Sequence, residues 1–293
     1  MMLRTVIKRS HLSGERHALG GMWLLDRMDI DALVVRDGDQ VQASGRLVLD
    51  RSGQWFEPTL TVVGPGGRER DVRPAWGAGA VRVVGADFAA LSNRFERNGD
   101  VEGWAFLTGV WLRQQLVVER QAAPRADTDR EHSWVSPPCP PPQGGWPAVA
   151  RRGDVELEYD LGDLEDTGAA VAVTLFHPGE GQAVLVIAAS DVAAVEAQLR
   201  PQLGRSLCVV SSRWSKAQLD AVGDYLLRHH EQWNLYEWGP QNDHDGQAHV
   251  AARLVRVLPE IAAWAGTIPS GILLLDPWLM PARALPAQLP PWG

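Results

Sequence analysis

The sequence predicts an α+β chain of two domains, a small antiparallel β-barrel followed by a mixed α/β layered domain. Three observations predict it. Residues 29–132 carry short alternating apolar runs, broken by turn residues every 8–12 positions. After residue 153, strand-like runs alternate with segments of helical period. Between them lies Ser133-Trp134-Val135-Ser136-Pro137-Pro138-Cys139-Pro140-Pro141-Pro142-Gln143-Gly144-Gly145-Trp146-Pro147. Its prolines fix φ and remove backbone donors, so it belongs to neither a helix nor a central strand. The resulting division is an arm over 1–28, a barrel over 29–132, a connector over 133–152 and an α/β domain with a proline-rich tail over 153–293. Trp134 and Trp146 bracket the connector and predict a semi-rigid segment docked at both ends. A ligand for a proline-recognising groove is the other use of such a run.

In the first half, Ala32-Leu33-Val34-Val35-Arg36 leads to the turn signal Asp37-Gly38-Asp39. The alternation of 41–49 then gives a second strand. Residues 55–63 read as a third strand, ended by Gly64-Pro65-Gly66-Gly67, and 80–84 as a fourth. Residues 88–95 read as a short helix. Two last strands cover 101–107 and 110–118, with Gly109 as the break between them. Neither Gly64-Pro65-Gly66-Gly67 nor Gly77-x-Gly79 continues into a phosphate-binding fingerprint, so both are turns.

The segments Arg36-Asp37-Gly38-Asp39-x-Val41-x-x-x-Gly45 and Gly109-Val110-Trp111-x-x-x-x-Leu116-Val117-Val118 resemble the first and last strands of an OB-fold barrel, over residues 30–120. The resemblance implies a groove for an oligonucleotide, an oligosaccharide or a protein segment. Candidates for that groove are Trp55, Phe56, Trp104, Phe106 and Trp111, with Arg46, Arg82 and Arg113. Aromatics there would stack on bases and arginines would follow a phosphate backbone. Strand alternation turns about half of such residues inward.

In the second half, Asp154, Glu156, Glu158 and Asp160 alternate with Val155, Leu157 and Tyr159, an acidic strand face for a basic partner or for solvent. Residues 169–176 and 183–188 read as a strand pair. Ser190 is placed to cap a helix that Gly204 stops, and 207–211 is a strand. Ser215-x-x-Gln218 is a capping box for a helix reaching about Trp233, with Leu219, Val222 and Leu226 on its buried face. Residues 234–238 and 248–257 form a hairpin through Asp243-His244-Asp245-Gly246. Pro259 opens a short helix, and 271–275 is the last strand.

Composition bounds the function. The first 133 residues hold 18 Lys+Arg against 18 Asp+Glu, and the remaining 160 hold 10 against 18, which carries the whole net charge of −8. An acidic second half repels a phosphate backbone, so any nucleic-acid role falls to the barrel. No apolar run approaches the roughly 20 residues of a membrane span, and the first residues lack the apolar core of a signal peptide. The expectation is a cytoplasmic protein in which Cys139 and Cys208 are free thiols. Of the 13 tryptophans, Trp76, Trp146, Trp238, Trp278 and Trp292 adjoin Pro or Gly and read as loop anchors.

The densest polar cluster is His229, His230, Glu231, Asp243, His244, Asp245 and His249. His230-Glu231-x-x-Asn234 lacks the last ligand of a zincin motif. Asp243, His244, Asp245 and His249 have the donor types for a divalent metal if the hairpin gathers them. No nucleophile has a catalytic context. The reading that results is a non-catalytic binding or assembly protein without a cofactor, engaging a protein partner through tryptophan-rich and acidic surfaces. Its alternatives are a metal-dependent hydrolase on the Asp243–His249 hairpin and single-stranded nucleic-acid binding by the barrel.

Overall fold

The computed structural model describes residues 30–58, 60–63, 69–72, 79–97, 99–124, 136–148, 160–179 and 181–284. The fold is mixed α/β and mostly sheet. The expected arm, Trp134, Asp154, Glu156, Glu158, the 64–67 turn and the end of the proline-rich tail lie outside the described residues.

The described chain opens with a short helix, α1 (Ile30–Leu33), where a strand was expected from residue 32. Leu33 and Val34 bury among the second-half residues, and Val34 bridges Val257. One residue later, Val35 joins the first-half core. The Asp37-Gly38 turn follows as expected, closed by Asp39 N–H donating to the Arg36 carbonyl at 3.0 Å.

Eight strands follow: β1 (Gln40–Asp50), β2 (Gly53–Glu57), β3 (Leu60–Val63), β4 (Glu69–Val72), β5 (Val81–Val84), β6 (Ser92–Arg97), β7 (Asp100–Leu112) and β8 (Gln115–Ala122). The helix expected at 88–95 is only a 3-10 turn, Phe88–Ala90, running into β6. The expected break at Gly109 lies inside β7, beside a register shift against β8. The chain reverses instead at Arg113 and Gln114, both at positive φ (50° and 61°). That is the conformation a two-residue hairpin turn needs, and these side chains do not advertise it.

β1 pairs antiparallel with β2 on one edge and β7 on the other. β2 continues to β5, β5 runs parallel to β8, and β8 returns antiparallel to β7. The five strands thus form a closed ring, with β6 appended outside β7. Alternation sends Val41, Ala43, Leu47, Phe56, Leu107 and Leu116 into one apolar core.

The second half holds α2 (Asp163–Asp166), β9 (Ala170–Phe176), β10 (Val184–Ala189), α3 (Val192–Leu203), β11 (Leu207–Ser211), α4 (Lys216–His229), β12 (Leu235–Asn242), β13 (Ala248–Leu254), α5 (Pro259–Ala265), β14 (Leu273–Pro277) and β15 (Met280–Pro281). Its sheets repeat one plan. β9–β10 is antiparallel and α3 leads to β11, parallel to β10. β12–β13 is antiparallel and α5 leads to β14, parallel to β13. The cap of α3 is Asp191, whose carboxylate accepts from Ala194 N–H, while Ser190 bonds the Gly168 carbonyl. The capping box of α4 forms as expected, and that helix ends at His229. β10 is buried on both faces, with Leu185 and Ile187 against Val195 and Leu199 of α3.

The end of the described chain returns to the ring. β15 pairs with β1 at Val41 and Gln42. Leu279 is fully buried and Val255 buried in the ring's core, with Trp278 and Tyr236 packed beside them. The Trp278 indole N–H donates to the Ser44 carbonyl at 2.7 Å. Gly45 makes room, since a Cβ there would lie 2.4 Å from the Glu57 carbonyl oxygen and 2.9 Å from the Trp278 ring.

The two cysteines are not free thiols. Cys139 and Cys208 form a disulfide with Cα atoms 5.8 Å apart. The disulfide ties the proline run to Cys208 of β11, and Ala148 bridges Gln182, so the described part of the connector lies on a sheet of the second half.

Leu279→Ala removes a fully buried side chain and should cost roughly 2–5 kcal/mol in a urea titration. Because Leu279 fills the ring, amide exchange in β1 and β7 should accelerate with it. Acceleration confined to β14 and β15 would show that the ring does not depend on this plug.

Candidate functional site

Strand pairing places the site. Residues directly opposite one another share a sheet face. Following the register outward gives one row, Arg82–Trp55–Val48–Glu102–Phe95, across β5, β2, β1, β7 and β6. The adjoining row is Glu57–Arg46–Trp104–Ser92. Phe106 follows in the next, between Ser44 and Ala122. These rows lie on the outside of the ring, opposite the face that carries Leu47 and Phe56.

The rows are built as an aromatic platform over an ionic knot. Arg46 donates to Glu57 at 2.6 Å and to Glu102 at 3.4 Å, and Glu102 is only 3% exposed. A guanidinium between two carboxylates satisfies several donors at once. Val48, 3% exposed, lies buried between them in the row. Trp55 is half-buried and pinned, its indole N–H reaching Ser52 Oγ at 3.0 Å and Asp50 Oδ1 at 3.3 Å. Asp50 also accepts from the Ser52 hydroxyl and the Ser52 and Gly53 N–H groups, and these bonds hold its carboxyl below the usual range. Phe95, 37% exposed, tilts against Trp104 with ring centroids 5.8 Å apart.

The expected groove residues therefore divide. Trp55, Trp104, Phe106, Arg46 and Arg82 share the outer face, and Arg82 is exposed beside Trp55. Phe56 and Trp111 are core. Phe56 packs on Trp278 at 4.7 Å, and Arg256 lies 4.9 Å over the Trp111 ring. Arg113 occupies the β7–β8 turn, where its N–H donates to Asp37. The sequence reading missed Glu57, Glu102 and Phe95. Glu102 was within reach, because it has the same parity as Trp104 and Phe106. Phe95 was hidden by the helix expected there.

The hairpin does not gather its metal-ligand candidates. Asp243 Oδ1 accepts from Gln247 N–H at 2.7 Å and Asp245 N–H at 2.9 Å, so this carboxylate shapes the turn. Burial raises its pKa in spite of those bonds. His244 pairs with Asp245 at 3.3 Å near the surface. His249 points inward from β13, 2% exposed and opposite Gln241, with no hydrogen-bond partner at Nε2. Among the described residues, no three His, Cys, Asp or Glu side chains come together as a metal-binding group. Of the acidic-face residues, Asp160 is described. It is exposed and accepts from Gly162 N–H at 2.9 Å.

No helix among the described residues is long and apolar enough to cross a membrane. No protein family, curated protein or solved structure matches the chain.

Burial pushes His249 down to about 4, against a hydrogen bond that it donates to the Gln247 backbone, which acts the other way. A depressed imidazole pKa means the unfolded chain binds the extra proton first. Its stabilising contribution is therefore complete above about pH 6.5 and is lost as pH falls toward 4, by on the order of 3 kcal/mol. Chemical denaturation from pH 7 to 4 should show this loss, and His249→Leu should flatten it. The difference between the two curves separates His249 from Asp243, whose raised pKa acts in the opposite sense. An unchanged acid limb in His249→Leu would assign it to other groups.

Proposed function

We propose that the chain is a non-catalytic binding or assembly protein whose ring is an OB-type barrel, with a protein partner on the outer aromatic face. The single observation that carries this is the pair of adjoining rows that sets Trp55, Trp104 and Phe95 at the surface over the Arg46–Glu57–Glu102 knot. Partly exposed tryptophans held in place lose little freedom on binding, and tryptophan is among the residues that dominate interface energetics. The barrel reading is supported by the ring order β1-β2-β5-β8-β7 returning to β1, and by its parallel β5–β8 pair.

Charge argues for a protein partner. The knot absorbs Arg46 between two carboxylates, so that guanidinium is not offered to a phosphate chain, which suits a protein segment better. The acidic stretch from Asp154 to Asp160 would favour the same class of partner.

One observation favours the second reading, single-stranded nucleic acid. Arg82 is exposed directly beside Trp55, which is the pairing of a cation with a stacking ring that such ligands use. A fluorescent oligonucleotide titration separates the two readings. The protein-partner reading expects no binding at 50 mM salt. Micromolar binding that falls steeply toward 200 mM would favour nucleic acid.

The direct test is capture from native lysate by the intact chain, beside Trp55→Ala and Trp104→Ala. Both tryptophans are partly buried, so capture is compared at a temperature where a thermal scan shows each variant folded. Each should reduce specific capture at least tenfold, since a buried interface anchor is worth about 2 kcal/mol or more. Undiminished capture by the double variant would remove this face from the interaction.

A further inference from the structure

The strap over 136–148 is held in an unusual way. Residues 137, 138, 140, 141 and 142 are all proline, and proline has no N–H with which to join a sheet. The run cannot dock on β11 by a ladder of its own donors. What ties it is Cys139, through the disulfide to Cys208. Pro138 supports the tie by packing so closely on Gly246 that a Cβ there would meet its Cγ at 2.8 Å. The polar anchors lie further along. Arg205 donates to the Gln143 carbonyl at 3.0 Å, Gln182 donates to the Trp146 carbonyl at 2.9 Å, and Ala148 bridges Gln182.

Beneath the strap is an apolar surface. Phe176, Val184, Val186 and Cys208 form a buried cluster, covered in part by Cys139 and Trp146. The two residues differ in access, since Cys208 is 1% exposed and Cys139 is partly exposed.

We propose that Cys139–Cys208 is a redox latch, opened by a dithiol reductant that attacks Cys139 and frees the proline run from the face formed by β9, β10 and β11. A thiolate of the reductant bonds to Cys139 Sγ, the S–S bond breaks, and Cys208 leaves as a thiolate that takes up a proton. The reductant's second thiol then displaces Cys139 and closes its own disulfide. The protein gains two electrons and two protons, and the dithiol is oxidised by the same amount. Without the tie, the proline run has no donors to keep it in place. The apolar cluster then loses the part of its cover that Cys139 supplies, while Gln143, Trp146 and Ala148 still hold the far end. In a reducing compartment the latch stands open, and in an oxidising one it stands closed. The latch is independent of the aromatic face.

The test uses the intact chain, oxidised or reduced with dithiothreitol and then alkylated. Opening should speed proteolytic cleavage within 136–144 at least tenfold and add binding of an apolar fluorescent dye. Amide exchange in β1 and β7 should stay as slow as in the oxidised protein. The double variant Cys139→Ser, Cys208→Ser should behave as the reduced protein does without any reductant. Unchanged cleavage and dye binding after reduction would overturn the latch. So would faster exchange in the ring, because the disulfide would then be holding the whole fold. Brief treatment with glutathione, a monothiol, should leave its adduct on the peptide containing Cys139. An adduct on Cys208 would overturn the assigned direction of attack.

Discussion

β1 is the strand on which the rest of the structure depends. It shares one edge with β7 over most of its length. Its other edge is divided between β15 at Val41 and Gln42 and β2 from Arg46 onward. Between those partners the Ser44 carbonyl would face an interruption in the ladder. Trp278 fills it with an indole N–H, and Gly45 leaves the space for that ring. Ser44 is exposed, so the bond continues the edge of the strand between its two partners, and the larger gain of the insertion is packing. The same strand sets the register of the outer platform, because Val48 and Arg46 stand at the centre of its two rows.

The second half solves a different problem with repetition. Each of its two sheets is a hairpin followed by a helix and a parallel strand. α4 lies between them in sequence, and its Leu219, Val222 and Leu226 share one core with residues from both sheets. Cross-links of different chemistry join the remaining pieces. The disulfide fixes the proline strap, and Arg283 bonds the Val34 carbonyl and pairs with Asp39 at 2.5 Å. That contact holds the Asp39 carboxyl below its usual range, against the burial that would raise it.

Much of this was legible where local chemistry decides the outcome. The Asp37-Gly38 turn, the capping box at Ser215 and Gln218, the helix opened by Pro259 and the β9–β10 hairpin all follow from nearby residues. What could not be read is what distant residues decide. Residues 30–33 are apolar enough for a strand, yet they fold as a helix because Leu33 packs into a core made mostly by the second half. The Arg113-Gln114 reversal carries no glycine or asparagine to mark it. The pairing of Cys139 with Cys208 spans 69 residues, and spacing alone does not reveal such a contact. For the site, Trp104 and Trp111 both stood as groove candidates, because the expected break at Gly109 hid that they share one strand at opposite parity, and which parity faced outward depended on ring closure.

The contact between Trp278 and Ser44 joins groups 234 residues apart. That distance sets a schedule for biosynthesis. The ring strands leave the ribosome first, yet their core stays incomplete until Val255, Trp278 and Leu279 have been made. At about 5–20 residues per second the wait is roughly 10–50 s. Throughout it, β1 has part of one edge unpaired and the ring has an open apolar end, the two features that attract holding chaperones and misassembly. The finished molecule hides this history, because the residues that arrive last are among those buried deepest in the ring.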